Sequence, residues 1–367
     1  MVKHLHGDDA QTLVDVIDET SDILPPWLQE KCLGALRKIC GRLGLLPRSV
    51  RIQLQYDRSD DPLYQGGYAD VWKGQYQDYH VAVKVLRVCT SNNFEKITRR
   101  FCKEAIAWKS LRHPNVLPLL GVMMRDRCFV MISEWMNNGN IKEFIRDNRD
   151  VNRFELLKDV TSGLMYMHSQ AMVHGDLKGA NILVDDNDRA RIADFGLLTI
   201  VSDPAYATAS SSVATAGTIP WMSPELLAPE DFNLKDSRPT KASDCYALGM
   251  VILEVLSGRA PYNQFRDVIV IRMITGGKRP KRPERPWFTD DLWRTLEQCW
   301  SPQPTDRPTI ESILEFLERV ATTWQPLPPG VEDDDDGIVG DETVSTVSYY
   351  QMFRYFVLDL VLRLYRK

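Results

Sequence analysis

The sequence predicts an α+β chain of two lobes, a small β-rich lobe with one main helix followed by a larger α-helical lobe. Three observations predict it. Alternating β-rich runs (DVWKGQY, HVAVKVLRV, RCFVMIS) lie between Ile52 and Ile132 and enclose a single helical stretch, Phe94 to Leu111. Beyond Asn140 the period changes, and EFIRDN, FELLKDVTSGLMYMHSQ, CYALGMVILEVLSG and LWRTLEQCW read as helices. Between these helical runs stand two polar signatures, HGDLKGANILV from His174 to Val184 and ADFG from Ala193 to Gly196. They set Asp176, Asn181 and Asp194 in series, an order suited to phosphoryl transfer, with one carboxylate for a hydroxyl proton and two oxygen donors for magnesium.

The bulk numbers bound the answer without choosing it. With 367 residues, 44% hydrophobic and 26% charged, the chain can bury a sizeable core. A formal net charge of -5 gives no general basic surface, so nucleic acid is not an expected partner. The seven cysteines are scattered and form no C-x-x-C pair, which argues for reduced thiols and against a zinc site. The first residues carry His4, Asp8 and Asp9, so no secretory signal is expected, and the location predicted is cytoplasmic or nuclear. The segment Met352–Lys367 is apolar but interrupted by Arg354, Asp359 and Arg363, and no transmembrane span is expected there.

Along the chain, residues 1–55 read as a helical extension. Leu13, Val16 and Ile17 share one face, and Leu28, Cys32, Leu33, Leu36, Ile39 and Cys40 repeat at helical spacing after Pro25 and Pro26. The simpler expectation is that these helices pack on the small lobe. A partner-binding helix pair is the alternative, favoured by Lys31, Arg37, Lys38 and Arg42. After about Trp324 the chain turns to QPLPPG, an acidic run Asp333–Asp336 and a Ser/Thr-rich stretch, and residues 323–367 are expected to be a disordered acidic tail ending in the short apolar segment.

In the small lobe, Gly66 and Gly67 of YQGGYADV suit either a tight hairpin turn or a loop that approaches phosphate closely. In VAVK, strand alternation sends Ala82 and Lys84 to one face.

Together these signatures resemble the eukaryotic protein kinases over roughly Tyr56 to Val320, with a domain at 56–322 divided into an N-lobe at about 56–133 and a C-lobe at about 137–322. The resemblance implies a bilobal fold with a five-stranded antiparallel sheet, ATP and Mg²⁺ as cofactors, and protein substrates. It implies Asp176 as catalytic base with Lys178 beside it, and Asn181 and Asp194 as magnesium ligands. Nucleotide contacts are implied at Gly66, Gly67, Val71, Ala82, Lys84, Glu104, Glu134, Met136 and Leu183. Of the family's three loop glycines only the second, Gly66, is matched; Tyr64 and Ala69 stand at the others. Ser133 is implied as the guard of the space behind the adenine, and Glu134, Trp135 and Met136 as the hinge.

By the same resemblance His174 and His113 are structural, Glu225 pairs with Arg307, and Asp244 caps the backbone of the catalytic loop. Lys178 and Thr218 resemble the serine/threonine-directed kinases of the tyrosine-kinase-like branch. The helical leader with HGDLKGANIL is similar to kinases common in mushroom-forming fungi. Gly175 replaces the arginine that usually grips a phosphate on the activation segment, so activity independent of phosphorylation at sites such as Thr199, Ser202 and Thr208 is expected. The function expected is transfer of the γ-phosphoryl group of ATP to serine or threonine hydroxyls of proteins. An ATP-binding pseudokinase scaffold is the alternative, and a small-molecule phosphotransferase is disfavoured by the peptide-docking GTIPWMSPE segment.

Overall fold

The computed structural model describes residues 7–325, except 22, 55–60, 66–68, 88–93, 126–127 and 196–216. The chain divides into two units, Met1–Leu327 and Pro328–Lys367, and the second lies outside the described residues. So do the expected acidic tail from 326 onward, the paired glycines Gly66 and Gly67, and the hydroxyls at Thr199, Ser202 and Thr208.

The leader forms α1 (Asp8–Ser21) and α2 (Pro26–Leu43). Asp8 and Asp9 sit in the first turn of α1, where carboxylates complement the helix dipole. Pro26 occupies the first turn of α2, where its missing N–H is no loss, and Gly44 ends the helix in a left-handed conformation, donating its N–H to Cys40. The leader packs along α3 (Phe94–Lys109), the main helix of the small lobe. Val14, Leu36, Cys40 and Leu46 belong to one buried cluster with Ile97, Phe101 and Cys102 of α3. The leader is thus part of the core behind α3.

Five strands form the small-lobe sheet: β1 (Tyr64–Gln65), β2 (Ala69–Tyr76), β3 (Tyr79–Leu86), β4 (Leu119–Arg125) and β5 (Cys128–Glu134). Their order is β1-β2-β3-β5-β4 and every neighbouring pair is antiparallel. The two-residue period of β3 sends Val81, Val83 and Val85 into a cluster with Ile52, Leu54, Val130 and Ile132. Ala82 and Lys84 therefore face the other way. Register then sets Lys84 opposite Val71 and Ala82 opposite Ser133.

The larger lobe begins with α4 (Ile141–Asp147), whose Asn140 side chain accepts from the N–H groups of Lys142 and Glu143 while Glu143 returns a bond to Asn140 N–H. It continues through α5 (Arg153–Ser169), the hairpin of β6 (Ile182–Val184) and β7 (Ala190–Ile192), and α6 (Pro224–Leu227), α7 (Lys241–Ser257), α8 (Asp267–Thr275), α9 (Asp290–Cys299) and α10 (Ile310–Ala321). Helix α7 is buried without interruption from Ser243 to Leu256, which is why its sequence is apolar on all sides. Its two buried acids, Asp244 and Glu254, need partners, and both find them in the loop between α5 and β6. Past α10, Trp324 packs against Trp287 and Phe154 at ring-centroid distances of 5.0 and 5.7 Å.

Candidate active site

The loop between α5 and β6 hangs on Asp244, whose carboxylate accepts from His174 N–H at 2.8 Å and Gly175 N–H at 2.9 Å and pairs with His168 Nε2 at 2.8 Å. This is the backbone cap expected of Asp244. Gly175 has φ +80°, a left-handed backbone that side chains adopt only with strain, so the loop's path itself favours glycine here. His174 is buried and its neighbours fix its tautomer. Nδ1 accepts from Asp176 N–H at 3.1 Å, so Nε2 holds the proton and donates to the Ala193 carbonyl at 3.0 Å. Burial pushes its pKa below the usual range, and a neutral ring serves as a support rather than an acid or base. Phe195 packs edge-on between that ring, 6.1 Å away, and Trp108, 5.0 Å away.

On this scaffold Asn181 donates from Nδ2 to the main-chain oxygen of Asp176 at 2.7 Å and to its Oδ2 at 3.0 Å. Oδ1 of Asp176 is buried and has no hydrogen-bond partner among the described residues. A buried, unpartnered acceptor costs free energy, about 1–3 kcal/mol, and is retained where a site needs it. Lys178 reaches across the same space, with Nζ 3.3 Å from Asp176 Oδ2 and donating to Thr218 Oγ1 at 2.6 Å. Asp194 has φ +64°, rare for a residue with a side chain, and its Oδ2 stands 2.5 Å from Lys84 Nζ.

These groups line one cleft between the lobes with a cavity of about 360 Å³. Of the residues expected from sequence, Val71, Ala82, Lys84, Glu134, Met136, Asp176, Lys178, Asn181, Leu183 and Asp194 all line it, as does Ser133. Glu104 sits half-buried on α3 and is not among the lining residues. Tyr64, which replaces a glycine of the family pattern, also lines the cleft, its ring centroid 6.4 Å from that of Trp135. Among the described residues no three His, Cys, Asp or Glu side chains cluster as a metal site. Asn181 and Asp194 nevertheless fit Mg²⁺, which takes one or two protein oxygens and completes its shell with phosphate and water.

Away from the cleft, Arg307 makes two bonds to the Glu225 carboxylate, at 2.6 and 2.7 Å, as expected. His113 is a turn residue whose Nδ1 accepts from Asn115 N–H at 3.1 Å. Sequence reasoning missed Glu254. It accepts from Gly179 N–H and from the Trp221 indole, and its signal was the lone acid near the end of an otherwise apolar helix, CYALGMVILEVLSG.

Residues 58–317 match the protein tyrosine and serine/threonine kinase family, and the chain belongs to it. It is 29% identical over 260 residues to the serine/threonine-protein kinase STY17 of Arabidopsis thaliana, covering 70% of this chain and 43% of that protein. It is 30% identical over 268 residues to the tyrosine-protein kinase Src64B of Drosophila melanogaster, covering 71% of this chain and 46% of that protein. Against the probable serine/threonine-protein kinase drkB of Dictyostelium discoideum it is 32% identical over 265 residues, covering 70% of this chain and 36% of the relative. The chain therefore spans less than half the length of each of these relatives. Among the described residues no helix is long and apolar enough to cross a membrane.

Proposed function

We propose that the chain is an active protein kinase that transfers the γ-phosphoryl group of ATP to serine and threonine hydroxyls of proteins. The observation that carries this reading is the buried Oδ1 of Asp176, without a partner among the described residues, on a carboxylate whose Oδ2 accepts from Asn181, with Lys178 and Thr218 beside it. A substrate hydroxyl would donate to Oδ1, and its proton would pass to Asp176 as its oxygen attacks the γ-phosphorus and the bond from that phosphorus to the β–γ bridging oxygen breaks, releasing ADP. Lys178, bonded to Thr218, would balance charge on the transferred group, and Lys84 would hold the inner phosphates, with Glu104 supporting it from α3. Mg²⁺, when bound through Asn181 and Asp194, would neutralise charge on the phosphate oxygens.

The relatives include both serine/threonine- and tyrosine-directed enzymes, so residue choice rests on this chain's own Lys178–Thr218 bond. A pseudokinase scaffold is less well supported, because Lys84, Glu104, Asp176, Asn181 and Asp194 are all present, and each is replaceable in a scaffold that needs no chemistry. A cytoplasmic or nuclear location belongs to the same reading, which the six described cysteines, all free thiols, support. The test is transfer of label from γ-labelled ATP with Mg²⁺ to generic protein substrates. Incorporation by the wild type and its loss in Asp176→Asn support the reading; equal labelling, or none, rejects it.

A further inference from the structure

Tyr64 stands where the family pattern has its first loop glycine, and its side chain lines the cleft. The sheet register shows why. Tyr64 of β1 is opposite Val71 of β2, Val71 is opposite Lys84 of β3, and Lys84 is opposite Met131 of β5. Residues directly opposite one another in antiparallel strands share a face, and all four of these line the cavity. Tyr64 thus extends the cleft wall with a bulky ring at the edge of the sheet, where it is 47% exposed.

That ring meets a second one. Trp135 is the residue just after β5, its N–H donates to the His80 carbonyl at 3.2 Å, and its ring centroid lies 6.4 Å from that of Tyr64, with the planes tilted by 37°. Aromatic rings attract at centroid separations of about 4.5–7 Å. Lys73 of β2, opposite Ala82 in register, sets its Nζ 5.1 Å from the centre of the Trp135 ring, so the indole is contacted from two strands. Tyr64 also faces the larger lobe. The cavity wall it belongs to includes Gly139 and Asn140 just before α4, and burial together with the Glu143 carboxylate of α4 pushes its phenol above the usual range. A glycine at position 64 would make none of these contacts.

We infer that Tyr64 and Trp135 form an aromatic clasp across the open end of the cleft, which slows the departure of bound nucleotide and whose opening sets the rate of nucleotide release. The inference rests on the protein-kinase reading for the identity of the ligand. It goes beyond that reading, because the family pattern has no side chain at position 64 to close the cleft there. The two rings act as one device: removing either opens the clasp, so removing the second adds little, as expected of residues in contact. Two independent contacts with the nucleotide would instead add.

The experiment follows the release of N-methylanthraniloyl-ADP from the full chain by stopped-flow fluorescence, with Mg²⁺ present and excess unlabelled ATP as chase. It compares wild type, Tyr64→Phe, Tyr64→Ala, Trp135→Ala and the double alanine variant. Both side chains are partly exposed, so neither alanine variant empties the core. Tyr64→Ala and Trp135→Ala should each raise the dissociation rate about fivefold or more, and the double variant should stay within about twofold of the faster single one. Tyr64→Phe keeps the ring and should stay within about threefold of wild type. The Kd of unmodified Mg-ADP, measured by calorimetry, should weaken in the same order, which separates the clasp from any contact with the fluorescent group. Wild type that binds nucleotide without phosphorylating protein would reject the kinase reading alone, and the release rates would still decide the clasp. Wild type that binds no nucleotide would overturn both. Unchanged release in either alanine variant, release from Tyr64→Phe as fast as from Tyr64→Ala, or multiplied effects in the double variant would overturn the clasp.

Discussion

Asn181 holds Asp176 by two bonds from one nitrogen, to the main-chain oxygen at 2.7 Å and to Oδ2 at 3.0 Å, and so leaves Oδ1 as the only carboxylate oxygen of Asp176 without a described bond. A base works when it is within reach of the proton it takes and its partner is held still. Asp176→Asn should lower kcat by roughly 10²- to 10⁴-fold while Mg-ATP still binds. Asp194→Asn should instead lose the metal dependence of nucleotide binding. Calorimetric titration with ATP, with and without Mg²⁺, separates the two, and identical behaviour of both variants would show that their roles have been misassigned.

Ser133 is proposed to guard the space behind the adenine. Ser133 is buried, lines the cavity, and pairs in register with Ala82, so at this position the cavity wall carries only a hydroxymethyl group. Cleft ligands bearing a bulky aromatic group at that point should bind the wild type, and Ser133→Met should weaken them tenfold or more while leaving ATP affinity within a few-fold. Inhibition constants for the two forms decide it, and equal values would place the guard elsewhere.

Much of this site was legible because its chemistry is written in short runs. HGDLKGAN and DFG keep Asp176, Asn181 and Asp194 close in sequence, and β alternation fixed the facing of Ala82 and Lys84. The two-lobed order followed from a change in hydrophobic period, whereas the helical spacing of the leader left packing on the small lobe and partner binding both open. What escaped was set by tertiary contact. Glu254 is separated from Gly179 by 75 positions, and no local pattern announces that their bond exists. Gly175 was read as a missing arginine, whereas its φ of +80° and its bond to Asp244 give a conformational reason for glycine that only the fold exposes. The contact of Tyr64 with Trp135 likewise joins β1 to the residue just after β5.

The Glu225–Arg307 pair should be structural rather than functional. Both are buried, and Arg307 also donates to the Ser301 carbonyl at 3.1 Å and the Ala242 carbonyl at 2.9 Å. Removing one partner leaves a buried guanidinium without its counter-charge, which typically costs about 3–5 kcal/mol. Glu225→Ala should therefore lower Tm by many degrees in a thermal melt. A shift of a degree or less would mean that solvent reaches Arg307 freely.

His174 should make stability depend on acid. Its folded-state pKa is lowered by burial, whereas in the unfolded chain it titrates near its ordinary value of about 6.5. Above that pH the ring is neutral in both states. As pH falls through about 6.5, the unfolded chain takes up a proton that the folded chain refuses, and the stabilisation that the neutral ring supplies is lost. The Tm gap between wild type and His174→Phe should narrow as pH is lowered from about 7.5 to about 5.5. A gap that widens would show that the folded state favours the charged ring.

On the proposed function, the carboxylate of Asp176 and the Lys178–Thr218 bond serve transfer to aliphatic hydroxyls. Phosphoamino-acid analysis of a mixed protein substrate, labelled from γ-labelled ATP with Mg²⁺, tests it most directly. Phosphoserine and phosphothreonine are expected, both absent from the Asp176→Asn reaction. Label found chiefly as phosphotyrosine, or label that persists in Asp176→Asn, would contradict it.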